Sequence, residues 1–217
     1  MPKNLHNLID GYKEFRKNYF SHHKALFDNL STHGQSPKIL IIACSDSRVD
    51  PAIVTNAIPG DLFVIRNVAN LVPNCEEEDL INYHGTSAAI EYAVCDLKVR
   101  HIIVCGHAKC GGLTSMFNTT SQKRSPSFMN KWVSIAKNPF NKVHEKYFHE
   151  SLDRKIELLA KESLINSLSN LKTFPWLSEK VKQNDLFLHA WYFEIATCNI
   201  QFLDTDGAFK DLAGYKY

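Results

Sequence analysis

Two short segments concentrate the residues that could do chemistry. Cys44-Ser-Asp46-Ser-Arg48 carries a thiol, a carboxylate and a guanidinium, and Gly106-His107-Ala-Lys-Cys110-Gly-Gly112 carries an imidazole and a second thiol. Thiolate and imidazole are donors that suit zinc's borderline softness, and the two-residue gap in His107-x-x-Cys110 lets both reach one ion. Cys44, His107 and Cys110 make three strong ligands, with Asp46 a candidate fourth. Structural zinc sites close with four protein ligands, whereas catalytic sites hold three and keep a position for water. Arg48 competes for the Asp46 carboxylate as a fork-shaped partner. Pairing of Asp46 with Arg48 leaves the fourth position open, and a swing of Asp46 to the metal shuts it. A cysteine at the end of a buried strand is, taken alone, more often a small core residue, which is the expectation for Cys105. A phosphatase-type loop running from Cys44 to Arg48 fails on electrostatics, because Asp46 would repel the phosphate.

These groups meet only if the chain elements bring them together. Lys38–Ala43, Asp61–Ile65 and His101–Cys105 read as short strands rich in β-branched residues, the second entered by the Pro59-Gly60 turn. A helical pattern through Ala88, Ala89, Tyr92, Ala93 and Leu97 precedes the third strand, and Ser125–Val181 reads as helical and charged. Leu186–Phe193 and Ile200–Leu203 suggest a closing strand pair. The expected fold is α/β, a mostly parallel central sheet flanked by helices. In such a sheet sites gather where the chain leaves the carboxyl ends of the strands, which is where both segments fall. Leu5–Leu30 spaces its apolar residues as an amphipathic helical arm. One domain is expected, with residues 1–33 as the arm and 34–217 as the core.

Composition narrows the partners. Lys and Arg number 25 against 23 Asp and Glu, a net charge of +2, which gives no electrostatic reason to expect nucleic acid or a membrane surface. The longest apolar run, Ile39–Cys44, is far below the ~20 residues a membrane helix needs. The N-terminus forms no signal-peptide core, so a cytoplasmic protein is expected. In that reducing setting the six cysteines are thiols or metal ligands rather than disulfides.

CSDSRVDP (Cys44–Pro51), GDLFVIRNVANLV (Gly60–Val72), AAIEYAV (Ala88–Val94) and GHAKCGG (Gly106–Gly112) occur in this order, and together they resemble the β-class carbonic anhydrases. The resemblance implies zinc held by Cys44, His107 and Cys110, with Asp46 and Arg48 as a catalytic dyad. It implies reversible hydration of carbon dioxide to bicarbonate and a proton by hydroxide on zinc. Gln35 falls where the plant-type branch donates a hydrogen bond to substrate from the partner subunit. Phe63, Val68 and Tyr92 fall where that branch lines its apolar pocket. Gly106 and Gly111 would let backbone pass close to metal and substrate. Two thiolates formally cancel zinc's charge, so water there is less acidic than under three imidazoles, and activity is expected to rise with pH. Ile41 stands where the bicarbonate-inhibited branch has tryptophan, so an open site at neutral pH is expected. The resemblance also implies a homodimer or dimer of dimers. His84, His101 and His189 are unranked candidates for carrying the proton away. Two alternatives stay open: a zinc hydrolase acting on carbonyl sulfide or carbon disulfide, and a non-enzymatic zinc protein closed by Asp46.

Overall fold

The computed structural model describes residues 3–76, 84–118 and 127–215. It divides into two compact units, Met1–Ser36 and Pro37–Tyr217. The first unit is helical: α1 (Lys3–Glu14), a π-helical stretch (Phe15–Phe20) and α2 (Lys24–His33). Its aromatic residues pack on one another, Phe15 on Tyr19 at 5.5 Å and Phe20 on Phe27 at 5.2 Å between ring centroids. Gly34 ends α2 with φ 75°, a conformation only glycine adopts without strain.

The second unit follows the order β1 (Ile39–Cys44), α3 (Pro51–Thr55), β2 (Leu62–Asn67), α4 (Gly85–Glu91), β3 (His101–His107), α5 (Gly111–Thr114), α6 (Phe128–Val133), α7 (Lys137–Lys146), α8 (Leu152–Leu171), α9 (Pro175–Lys182), β4 (Phe187–Glu194), β5 (Asn199–Leu203) and β6 (Phe209–Asp211). Among the described residues these strands form one sheet in the order β2-β1-β3-β4-β5-β6. The first four strands are parallel, and β5 and β6 add an antiparallel edge. The chain leaves β1 toward β2 on one side, then crosses back to place β3 on the other. The carboxyl ends of β1 and β3 therefore flank the point where the winding reverses, the position at which open α/β sheets place their sites.

Local chemistry accounts for the boundaries. Apolar, β-branched β1 is buried almost throughout, as a strand covered on both faces must be. Asp50 caps α3 by accepting from the Ala52 and Ile53 amides, with Pro51 at the first helical position. Ser151 caps α8 through the Arg154 amide. The strand boundaries are displaced from the sequence expectation by one or two residues. Cys44 and His107 are the last residues of β1 and β3 rather than the first residues after them, because the parallel ladder with neighbouring strands continues that far. The helical pattern before β3 is interrupted by a π-helical turn, Tyr92–Asp96. The short β6 extends the closing pair. Ser125 and Pro126, the start of the expected helical region, lie outside the described residues.

The long helix α8 lies against β3 and β4 and buries Ile156, Leu159, Leu164 and Leu171. Leu164 touches the sheet where Gly106 stands: a Cβ at Gly106 would sit 3.3 Å from the Leu164 side chain. Leu164 is completely buried, so Leu164→Ala is expected to lower stability by about 2–5 kcal/mol through lost burial and the cavity left. Urea unfolding would measure this, and an unchanged midpoint would contradict the packing role.

Candidate metal centre

At the reversal point the donor atoms of Cys44, His107 and Cys110 lie within 4.8 Å of one another, and all three residues are buried. Their exposures are 5%, 1% and 0%, so the protein has taken two thiols and an imidazole out of water. His107 Nδ1 donates to the Ala108 carbonyl at 2.9 Å, which leaves Nε2 with a lone pair. Nε2 is buried and has no hydrogen-bond partner. A buried polar atom without a partner is costly, and here it faces two sulfurs. The sulfurs of Cys44 and Cys110 are 3.9 Å apart. The Cys110 thiol, hydrogen-bonded to Cys44, holds the Cys44 thiol well below its ordinary value against the opposing effect of burial. The same contact and burial push Cys110 up, so without metal the pair shares one proton. An orphaned imidazole nitrogen facing two such sulfurs fits a thiophilic divalent ion such as zinc.

Asp46 and Arg48 stand at the mouth of this cluster. Arg48 Nε donates to Asp46 Oδ1 at 2.9 Å and Nη2 donates to Oδ2 at 2.7 Å, a two-pronged pair. The Arg48 amide also donates to Oδ1, at 3.0 Å, and Nη2 reaches the Lys109 carbonyl at 3.3 Å. Asp46 Oδ2 lies 3.9 Å from His107 Nε2. The Arg48 hydrogen bonds hold the Asp46 carboxyl well below the usual carboxylate range. Asp46 is thus an anion turned toward Arg48 and within reach of the donor cluster.

The other residues singled out in the sequence are more dispersed. Phe63 on β2 packs against Tyr92, with ring centroids 5.8 Å apart, and Tyr92 is 46% exposed. Val68 directly follows β2 and is also exposed in part, its carbonyl accepting from Trp132 Nε1 at 2.7 Å. Gly106 is crowded by Leu164, whereas a Cβ at Gly111 would meet nothing within 4 Å. Gln35 belongs to the first unit and is exposed. Cys105 is not among the clustered donors, and burial pushes its thiol up to about 12, which keeps it neutral. His101 Nδ1 and His189 Nε2 lie 3.1 Å apart, and His84 caps α4 through the Ser87 amide.

Comparison with known proteins decides the family. The carbonic anhydrase family model matches residues 39–200, the whole span from β1 into β5. A carbonic anhydrase of Synechocystis sp. is 37% identical over 207 residues, 95% of this chain and 73% of that protein. One from Pseudomonas aeruginosa is 36% identical over 202 residues, 92% of this chain and 88% of that protein. The chain belongs to the carbonic anhydrase family, in its β class. Its structure is similar to that of the β-carbonic anhydrase CcaA, with a TM-score of 0.90 at 36% identity, covering 96% of this chain and all of that one. A structure from Sordaria macrospora, described as one of two tetrameric β-carbonic anhydrases, gives 0.82 at 27% identity over 96% of this chain and 100% of that one. The protein is therefore an enzyme of this family, and the Cys44–His107–Cys110 cluster is its candidate metal centre.

Sequence reasoning missed three residues that support this carbonic anhydrase site. Arg66 on β2 donates to the Cys44 and Asp46 carbonyls at 3.0 and 2.7 Å and to Asp50 at 2.8 Å, which holds the loop carrying Cys44, Asp46 and Arg48. Ala69 donates its amide to Cys44 Sγ at 3.4 Å. Gly112 packs so tightly that a Cβ there would lie 2.8 Å from Val68 Cγ1 and 3.0 Å from Ala69 Cβ. Gly112→Ala is expected to cost about 1–3 kcal/mol from overpacking and to weaken metal retention, since it pushes on the turn behind Cys44. Thermal melting with and without added zinc would show a larger loss in the zinc-loaded protein, and equal losses would limit the effect to packing.

Proposed function

We propose that this enzyme catalyses zinc-dependent, reversible hydration of carbon dioxide to bicarbonate and a proton. The observation carrying this reading is the buried Cys44–His107–Cys110 donor set with the Asp46–Arg48 pair 3.9 Å from its imidazole, in a β-carbonic anhydrase fold. Cys44 and Cys110 would hold the ion as thiolates and His107 through Nε2. Zinc bound there would supply a Lewis acid that acidifies a coordinated water, and two thiolates make it a weaker one than three imidazoles, so activity rises toward alkaline pH.

The chain's own residues then orient the reaction. Asp46, acceptor-only as an anion, takes a hydrogen bond from the nucleophile and turns its lone pair toward carbon dioxide. Arg48 keeps Asp46 in that orientation from two sides, which also supports a site open at neutral pH. Phe63, Val68 and Tyr92 offer an apolar wall to a substrate with no net charge or dipole. Gly106 and Gly111 would offer backbone to it, Gly111 with open space where a side chain would stand. The partner subunit's Gln35 donates a hydrogen bond to the developing bicarbonate. That last role requires a homodimer or dimer of dimers, which the tetrameric Sordaria macrospora relative and the exposed Leu8, Tyr12 and Phe15 of the arm support. Arm and core act as one functional domain. A cytoplasmic setting, where cysteines stay thiols or metal ligands, is part of this reading, and no helix among the described residues is long and apolar enough to cross a membrane.

Stopped-flow hydration from neutral to alkaline pH, with zinc assayed on the same sample, tests this. Dialysis against a chelator is expected to remove activity, and stoichiometric zinc alone to restore it. A zinc-loaded protein inactive at every pH would overturn the reading. Faster turnover of carbonyl sulfide than of carbon dioxide would transfer it to the related hydrolase reaction.

A further inference from the structure

Directly behind Cys44 the chain makes a turn that ordinary packing does not require. Asn67 ends β2, and Ala69 (φ 64°, ψ 22°) and Asn70 (φ 48°) follow in the left-handed region. Asparagine tolerates this region, but for Ala69 it costs about 1–2 kcal/mol, and such a conformation persists only where the surroundings over-determine it. Asn67 supplies much of that determination. Its Oδ1 accepts from the Leu71 amide at 2.9 Å, while Nδ2 donates to the Leu71 carbonyl at 2.9 Å and to Thr86 Oγ1 at 3.3 Å. Both ends of the turn are thereby clipped to one side chain. The Asn67 carbonyl also accepts from the Ser45 amide at 2.9 Å, which joins the turn to the residue after Cys44. These ties converge on one result: the fully buried Ala69 aims its N–H at Cys44 Sγ, 3.4 Å away.

We propose that Asn67 is a positioning residue for the metal centre, its side chain clamping the Asn67–Leu71 turn so that the Ala69 amide donates to the Cys44 sulfur. This rests on the reading of Cys44 as a metal ligand. An N–H donor on a ligand thiolate draws electron density away from the metal–sulfur bond, so the ion keeps more of the positive charge that two thiolates would otherwise cancel. It also fixes the direction from which the sulfur lone pair meets the ion. Asn67 thus acts on the cluster through Ala69 and Cys44.

The test compares wild type with Asn67→Ala, each loaded with zinc and separately with cobalt(II). In the cobalt protein, losing the donor raises the energy of the sulfur electrons. The thiolate-to-cobalt charge-transfer band should therefore move to lower energy, a shift that a purely structural turn would not produce. Zinc should pass to a chelator about 10–100-fold faster, the range typical for partners of metal ligands. A folded Asn67→Ala protein with an unchanged band and unchanged zinc release overturns the inference, as does one that only melts earlier. Should the variant not fold, wild type loaded with NMR-active cadmium decides: scalar coupling between the Ala69 amide proton and the metal supports the inference, and its absence with other ligand couplings resolved overturns it. Wild type that takes up none of these metals overturns the zinc reading itself, a failure distinct from that of the clamp.

Discussion

Cys110→Ser is expected to release zinc and to lower carbon dioxide hydration by more than about a hundredfold, beyond what the loss of a ligand's hydrogen-bond partner costs. Cys110 is completely buried, and its sulfur lies 3.9 Å from that of Cys44. A serine hydroxyl is shorter, harder and not ionised at working pH, so it offers no thiolate to the ion. Stopped-flow rates and zinc per chain on the same sample are the measurement. A variant that keeps both stoichiometric zinc and its rate would remove Cys110 from the ligand set.

Asp46→Asn is expected to keep zinc and the fold yet lose about 10²–10⁴-fold in hydration, the usual range for a positioned proton acceptor. The amide retains the carboxylate's shape but turns one oxygen into a donor. That NH₂ must face either Arg48 Nη2, now 2.7 Å from Oδ2, or the nucleophile it formerly accepted from. Both contacts are donor against donor. The pH dependence separates this role from others. Arg48 holds the Asp46 carboxyl below its ordinary value of 3.8, so its contribution to stability is complete above that value and is lost only as pH falls through the lower folded one. Asp46 is therefore ionised throughout the neutral and alkaline range. Asp46→Asn should lower the rate at every pH there without moving the midpoint of the profile. A shifted midpoint at undiminished plateau rate would instead make Asp46 the titrating group.

The chemistry of the site was legible because it resides in residue types at short range. A thiol two residues before a carboxylate, and an imidazole three before a second thiol, are the donor types that a zinc site would use, each set readable within one short segment. The strands were legible for the same reason: runs such as Lys38–Ala43 and His101–Cys105 are mostly apolar and β-branched, with polar turns between them. The sheet order was not legible. Nothing local to β1 or β3 states that the chain returns from β2 to place β3 beside β1, which is what brings Cys44 and His107 together. The supports behind the ligands were equally hidden. Asn67 and Ala69 lie in a motif that resembles the family, yet no propensity marks alanine for φ 64°. That conformation exists because Asn67 clips both sides of Leu71, a decision made by hydrogen bonds rather than by the residue itself. Gly112 is a close approach, set by Val68 and Ala69 more than 40 positions earlier. The sequence by itself determined which atoms could bind a metal and activate a small apolar substrate. Only the tertiary structure decided that they meet, because strand order and packing across the sheet depend on contacts between residues far apart in the chain.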